Sequence, residues 1–210
     1  AINFGRYVAK EIRAGFVVLD KVHGCCRIVK RIKDKPFTLD FTDFRGKTID
    51  QDLLHRDFTI NAISIELEKI FIDKDLDCLL IDPYQGREDL RLKKIKLVDR
   101  GAFDEDPLRL LRAFSLAITF GFNIDKETLR LIKLKAKRLS EVSFERIRDE
   151  LFKILDKPCS FDYLSAMDKL KLLGVVMPEI EIMRKVTQGP YHHLDVWRHT
   201  LETIRQLEYL

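Results

Sequence analysis

The spacing of apolar residues predicts strands and short helices in the first part of the chain. Phe4, Val8 and Ile12 recur at helical spacing, and a β-branched run predicts a first strand at Phe16–Leu19. The other elements predicted here are strands at Cys25–Ile32, Phe37–Phe44 and Phe58–Leu67, a turn at Lys33–Pro36, a short helix at Thr48–Leu54 and a turn at Ile81–Gly86. The β part is expected to end near Val98.

From Asp104 onward the apolar pattern becomes helical. Asp106 before Pro107 predicts a helix start, and Gly121 and Gly174 lie where helices are expected to stop. Strands followed by helices favour the α+β class with two lobes. The predicted helices are Pro107–Phe120, Lys126–Leu139, Phe144–Leu155, Phe161–Leu173 and Val196–Leu210.

Composition and charge narrow the classes of protein. The longest apolar runs fall well short of the roughly 20 residues of a membrane span, and Ala1–Ile12 lacks a signal-peptide layout, so we expect a cytoplasmic protein without membrane contact. The net charge of +4 permits an RNA partner without requiring one. The cysteines Cys25, Cys26, Cys78 and Cys159 show no zinc or disulfide spacing and are expected to be buried.

Candidate chemistry begins at the first long helix, where Asp106, Arg109 and Arg112 step by three along one predicted polar face. A carboxylate accepts from an exocyclic amine and a guanidinium donates to a ring acceptor, so an Asp–Arg pair would choose adenine or cytosine over uracil or guanine. The alternative is an ordinary surface ion pair at a helix start.

Two further polar segments invite a functional interpretation. Arg56 and Asp57 precede a predicted strand that Asn61 interrupts, and a ribose hydroxyl or phosphate oxygens would suit these groups. The alternative is a salt-bridged strand start with a hydrogen-bonded Asn. Ser143–Glu150 alternates acid and base, which is most often typical of a solvated helix face.

Four segments resemble, in family order, motifs of the class II tRNA CCA-adding nucleotidyltransferase and bacterial poly(A) polymerase family. They are Arg56–Ala62, Asp82–Leu90, Glu105–Ala113 and Glu145–Glu150. The resemblance implies a partial polymerase-β-like nucleotidyltransferase head at residues 1–98. It also implies an all-α neck that reads the incoming nucleotide at 99–158, and the start of a helical RNA-binding body at 159–210.

The resemblance also implies roles for individual residues. Asp106 with Arg109 would read the base edge, and Arg112 would bind the triphosphate. Where the family often has another arginine, this chain has Ser115. The remaining implied roles are nucleotide contact by Arg56, support of the sugar by Asp57 and Asn61, and support of the site by Glu105, Arg146 and Glu150.

The resemblance places the metal site outside this chain. In the family, a Gly-Gly turn and an Asp-x-Asp strand that binds Mg²⁺ precede a helix like Ala1–Arg13, so the Mg²⁺ ligands are expected upstream of Ala1 and this chain alone should not catalyse. Asp40, or Asp43, is a candidate third carboxylate.

The tail offers a second metal motif that is incomplete. Within Tyr191–Thr200, His199 resembles the first ligand of an HD phosphohydrolase site, whose later His-Asp pair would lie beyond Leu210. Histidines that pack or cap a helix are the alternative.

The predicted function is addition of C, A or both to the tRNA 3′ acceptor end from CTP and ATP, with phosphate contacts from basic helices such as Lys126–Arg138. The short Asp43–Leu54 connection favours an enzyme that adds only part of CCA. The alternatives are a poly(A) polymerase of the same fold and a catalytically inactive RNA-binding fragment.

Overall fold

The computed structural model describes residues 1–72, 75–187, 189 and 193–208, which divide into two units, Ala1–Leu54 and His55–Leu210. The mixture of strands and helices confirms the α+β class. No helix of the described residues is both long and apolar enough to cross a bilayer.

The first unit is a helix packed on a three-stranded antiparallel sheet of order β1-β2-β3. An added Cβ at Gly5 of the helix would lie 2.5 Å from the Cys26 sulfur, so only glycine permits this close approach. The elements are α1 (Ile2–Glu11), β1 (Gly15–Asp20), β2 (Cys25–Ile32), β3 (Lys35–Phe41) and α2 (Ile49–Leu54).

The turn predicted between β2 and β3 is confirmed, and it joins them as a hairpin. Lys33 and Asp34 have positive φ angles of 49° and 61°, as a type I′ turn requires. Strand β2 has the predicted bounds, whereas β3 ends at Phe41 rather than at Phe44.

The second unit opens with a departure from prediction, because the strand predicted at Phe58–Leu67 is wrong. Thr59–Asn61 forms a 3₁₀ helix, and only Ser64–Ile65 is a strand, β4. The Asp57 carboxylate accepts hydrogen bonds from the Phe58 amide and the Asn61 side chain. These local bonds compete with a β ladder and turn the chain, despite its β-branched residues.

Short elements follow, and the strands among them pair in two small sheets. Strand β4 pairs with β5 in antiparallel fashion, and β6 pairs with β7 in parallel. The elements are α3 (Leu67–Ile70), α4 (Leu76–Leu79), β5 (Leu80–Ile81), α5 (Gly86–Arg91), β6 (Lys94–Ile95) and β7 (Asn123–Ile124).

Strand β7 shows that the predicted end of the β part near Val98 is wrong. The chain that leaves the helix ending at Phe120 bonds back to β6, through Asn123 N to Lys93 O at 2.8 Å and Asp125 N to Ile95 O at 2.9 Å. Two residues are too few to give a sequence signal.

Helices dominate the rest, close to the predicted positions. Arg109–Phe120 and Phe144–Leu155 confirm two predictions, while the predicted Phe161–Leu173 helix is divided where Lys171 has a φ of +63°. The helices are α6 (Ala102–Glu105), α7 (Arg109–Phe120), α8 (Lys126–Lys135), α9 (Phe144–Leu155), α10 (Ser160–Lys169), α11 (Leu172–Val176), α12 (Glu179–Met183) and α13 (Val196–Leu207), with a 3₁₀ helix at Ala136–Glu141.

The two glycines behave differently. Gly121 ends α7 in the left-handed region at a φ of 66°, as predicted. The prediction that Gly174 ends a helix is wrong, because it lies inside α11, where an added Cβ would come within 2.5 Å of the Glu181 carboxylate. The Glu181 carboxylate that such a Cβ would meet is the exposed end of a flexible side chain.

The core of the second unit surrounds α7, whose Leu110, Leu111, Ala113 and Phe114 are buried. Phe58 packs into the same core, so the segment that precedes α7 by some fifty residues is held against it. The predicted burial of the cysteines is confirmed for Cys26 and partly for Cys25. It is wrong for Cys78 and Cys159, which lie exposed in α4 and at the start of α10.

Candidate nucleotide-binding site

Asp57 is a buried carboxylate that connects the first motif to α7. Its Oδ1 accepts from the Phe58 amide at 2.8 Å and from Asn61 Nδ2 at 3.0 Å. Its Oδ2 accepts from Arg112 Nε at 2.9 Å, and Arg112 Nη2 lies 2.9 Å from the same oxygen as part of the ion pair. Asp57 and Arg112 are 55 positions apart in the sequence, so the fold brings two of the predicted site residues into one ion pair. Arg56 and Asn61 lie exposed beside it.

The Asp82–Leu90 motif packs against the segment that carries Asp57 and Asn61. Asp82 accepts from the Gly86 and Arg87 amides at 2.6 and 2.9 Å, which fixes the start of α5. The buried Thr59 hydroxyl donates to Asp89 Oδ2 at 2.8 Å. An added Cβ at Gly86 would lie 2.1 Å from the Thr59 carbonyl oxygen, so α5 lies against the 3₁₀ helix.

Thr59, Gly86 and Asp89 are supporting residues that sequence reasoning missed. Asp89 is buried within a strongly polar segment, so no hydropathy pattern marks it. Thr59 falls in the predicted strand because β-branched residues favour strands.

Arg109 lies elsewhere than predicted, because it is buried instead of sharing an open polar face with Asp106 and Arg112. Its Nη2 donates to the His55 carbonyl at 2.6 Å, and its Nη1 donates to the carbonyls of Ala102 at 3.1 Å and Arg56 at 3.4 Å. Carbonyl groups from two other segments satisfy the guanidinium, which makes burial of its charge tolerable. A helical wheel of α7 alone does not contain these carbonyls.

Asp106 pairs with a guanidinium from another helix. Its Oδ1 accepts from the Leu108 amide at 3.2 Å, and its Oδ2 accepts from Arg146 Nη2 at 2.8 Å. Arg146 lies in the first turn of α9, so the Ser143–Glu150 segment is more than a solvated helix face. The Asp106 side chain keeps 30% of its surface exposed.

Two more acids complete the neighbourhood. Glu105 bonds to His55 Nδ1 at 2.7 Å and lies 3.5 Å from Arg109 Nη1, so it bridges both. Glu150 is 3% exposed; it accepts from the Ser115 hydroxyl of α7 and from Lys153 Nζ at 2.7 Å. Ser115, which stands where the family often has an arginine, thereby ties α7 to α9.

Comparison with known families identifies the chain. Residues 20–96 match the model described as "Poly A polymerase head domain", and residues 121–183 match "Probable RNA and SrmB- binding site of polymerase A". The chain belongs to the poly(A) polymerase and tRNA nucleotidyltransferase family. The two matches lie on either side of Asp106 and Arg112. Residues 97–120, between the two matches, therefore contribute much of the site.

Curated members of this family are similar over most of the chain. A CC-adding tRNA nucleotidyltransferase of Geobacter sulfurreducens is 39% identical over 171 residues, which cover 81% of this chain and 37% of the relative. An A-adding tRNA nucleotidyltransferase of Deinococcus radiodurans is 34% identical over 164 residues, or 76% of this chain and 36% of the relative. The chain therefore spans little more than a third of their length.

A solved structure shares the fold. The Thermotoga maritima CCA-adding enzyme complexed with tRNA-CCA superposes with a TM-score of 0.69 at 29% identity, over 90% of this chain and 43% of that one. Its complex with tRNA is a property of that enzyme.

Asp40, the candidate third carboxylate, forms an ion pair with an arginine on the neighbouring strand. Arg27 on β2 donates to Asp40 on β3 through Nε at 2.7 Å and Nη2 at 2.8 Å. This hydrogen-bonded guanidinium holds the pKa of the Asp40 carboxyl below its usual value. The role of Asp40 near a metal stays a prediction.

The tail carries the incomplete metal motif described from the sequence, for which packing or capping histidines were the alternative. Tyr191 and His192 of that segment lie outside the described residues, while Asp195 accepts from the Arg198 amide at 2.8 Å and caps α13. Within the described part of the chain, no group of three or more His, Cys, Asp or Glu side chains is placed to hold a metal ion. The described residues therefore do not fit a magnesium site.

Proposed function

We propose that this chain is the nucleotide-selecting part of a template-independent RNA nucleotidyltransferase. The enzyme would add C, A or both to the tRNA 3′ end from CTP and ATP. One observation carries the proposal: segments far apart in sequence meet through the Asp57–Arg112 and Asp106–Arg146 pairs. If these were ordinary surface ion pairs, Asp57 would be exposed, and its partner would not need to come from α7.

The proposed site divides into a base-reading part and a phosphate-binding part. Asp106 would accept from the exocyclic amine of cytosine or adenine, and Arg109 would donate to the adjacent ring acceptor after leaving its backbone carbonyls. Arg112 donates through Nε to Asp57 and pairs with it in charge, and its partly exposed guanidinium would also donate to the triphosphate. Arg56 and Asn61 are exposed beside Asp57, where they would bind a ribose hydroxyl or a phosphate.

The division into head (1–98), neck (99–158) and body (159–210) is part of the proposal. The tRNA acceptor end would lie along the neck and body, with basic side chains of Lys126–Arg138 near its phosphates. This agrees with the description of the model that matches residues 121–183. A tRNA substrate favours a cytoplasmic location.

Mg²⁺ is the metal we propose for the transfer step. Magnesium aligns the attacking hydroxyl and the α-phosphate in phosphoryl transfer. Because the described residues do not form a site for it, this chain's own contribution is to choose and orient the nucleotide.

The proposal is tested with the full-length protein, Mg²⁺ and each labelled nucleotide in turn. The acceptors are tRNAs that end before C, after CC or after CCA, and an unrelated RNA. We expect C or A to enter only the tRNAs that lack it, and the pattern separates CC-adding, A-adding and CCA-adding enzymes. Long A tails on the unrelated RNA would make the protein a poly(A) polymerase, and no incorporation at all would leave an RNA-binding protein.

A further inference from the structure

The proposed base-reading carboxylate is held by donors from two different elements. The Leu108 amide, immediately before α7, donates to Asp106 Oδ1 at 3.2 Å. Arg146 Nη2, in the first turn of α9, donates to Asp106 Oδ2 at 2.8 Å. Two donors on the two oxygens fix the plane of the carboxylate, which a single donor would leave free to rotate.

Asp106 can bind a base without losing Arg146. An ionised carboxylate offers about four lone-pair directions, and the two bonds to Leu108 and Arg146 occupy two of them. The side chain of Asp106 is 30% exposed, so further directions are open to a ligand. An amine of the incoming base can therefore donate to Asp106 while the guanidinium stays in place.

The helix that carries Arg146 is fixed relative to α7. One turn further along α9, buried Glu150 accepts from the hydroxyl of Ser115 on α7. The backbone of α9 is thus tied to the helix that Asp106 precedes. By contrast, Arg148 pairs with Asp149 next to it on the same helix, at 2.7 Å.

We propose that Arg146 is a positioning residue that determines nucleotide specificity by orienting the Asp106 carboxylate. The inference rests on the proposed function, in which Asp106 accepts from the amine of cytosine or adenine. A carboxylate that rotates freely can also accept from the ring N–H of uracil or guanine, because that N–H lies beside the position of the amine. Loss of Arg146 therefore weakens recognition of the correct bases more than it weakens binding of the wrong ones.

The test compares Arg146→Met with Arg146→Lys in the full-length enzyme, using CTP, ATP and UTP with a tRNA acceptor. Methionine removes the charge and keeps most of the length, whereas lysine keeps the charge and a donor. We expect Arg146→Met to lower kcat/KM for the correct nucleotide about fivefold, mainly through KM, with a smaller change for UTP. Arg146→Lys recovers most of the loss, and Arg148→Met, the matched control, changes neither value.

A double-mutant cycle separates orientation from helix stability. In an Asp106→Ala background, Arg146→Met should change nucleotide preference no further, because its target is gone. Equal losses for UTP and the correct nucleotide, or the same loss in the Asp106→Ala background, would contradict the inference. If Arg146→Met does not fold, the Arg146→Lys and Arg146→Gln pair provides the same comparison.

The inference and the proposed function fail in different ways. A wild-type protein that incorporates no nucleotide overturns both. A wild-type protein that adds C or A, with unchanged preference in Arg146→Met, overturns only the role of Arg146.

Discussion

At the scale of residues, the sequence marks which side chains are polar but not which of them meet. Asp57, Asp106 and Arg112 could be singled out from their spacing and from the resemblance. The partner of each could not, because Asp57 meets Arg112 across 55 positions and Asp106 meets Arg146 across 40. Arg109 shows this limit of the sequence most clearly, because it is buried and donates to carbonyl groups of other segments.

The burial of Asp57 gives a residue-scale prediction. Asp57→Asn removes the counter-charge of Arg112 and disturbs the bonds to the Phe58 amide and the Asn61 side chain. Because Arg112 is partly exposed, we expect the free energy of unfolding to fall by about 1–3 kcal/mol, less than for a fully buried pair. Urea unfolding of the full-length protein measures it.

The control for this prediction is Asp149→Asn, which removes an exposed carboxylate paired with Arg148. It should change the free energy of unfolding by less than about 0.5 kcal/mol. Equal effects of the two substitutions would show that Asp57 is no more than a surface partner.

At the scale of elements, long amphipathic helices could be predicted and short elements could not. Phe144–Leu155 was predicted with its observed bounds, since its apolar period extends over three turns. The 3₁₀ helix at Thr59–Asn61 and strand β7 arise from side-chain bonds and pairing with distant segments. Local propensity contains no information about either.

The close approach of α5 to the 3₁₀ helix gives a prediction about elements. Gly86→Ala places a Cβ within 2.1 Å of the Thr59 carbonyl oxygen, so α5 must move away. We expect a loss of about 1–3 kcal/mol in the free energy of unfolding and a raised KM for the nucleotide, because the segment that carries Asp57 shifts. The matched control is Gly15→Ala, whose Cβ would meet the Val29 oxygen at an ordinary 3.5 Å. Tolerance of Gly86→Ala would contradict this packing.

The tie between α6 and α8 gives a pH prediction. Lys135, and then Arg138, hold the pKa of the Asp104 carboxyl below its ordinary value of 3.8. A lowered folded-state pKa means that the pair stabilises the fold above that ordinary value and loses this contribution as the pH falls through the folded-state pKa. Asp104→Asn should therefore lower stability slightly at pH 7 and flatten the loss of stability below about pH 4. Unfolding midpoints measured from pH 2 to 7 decide it, and parallel curves for both proteins would contradict it.

At the scale of the whole molecule, the α+β class and the family could be recognised from the order of the motifs. The division of the described residues at Leu54 does not follow from that order, since the core around α7 draws in Phe58 and Ile95 from the predicted head. The three-part boundaries at 98 and 158 stay a prediction. What the fold adds is a physical reason for the family motifs to lie together, namely an ion pair that joins α7 to the Arg56–Asn61 segment and another that joins Asp106, just before α7, to α9.

The central claim is that Asp106 and Arg109 choose the base, and nucleotide preference in the full-length enzyme tests it most directly. The measurement is kcat/KM for CTP, ATP and UTP on one tRNA acceptor, together with the Kd for that tRNA, in Asp106→Ala, Arg109→Ala and the control Arg148→Ala. We predict that preference for the correct nucleotide over UTP falls about tenfold or more in the first two variants, while the Kd for tRNA changes less than about threefold. Unchanged preference in both variants would contradict the account.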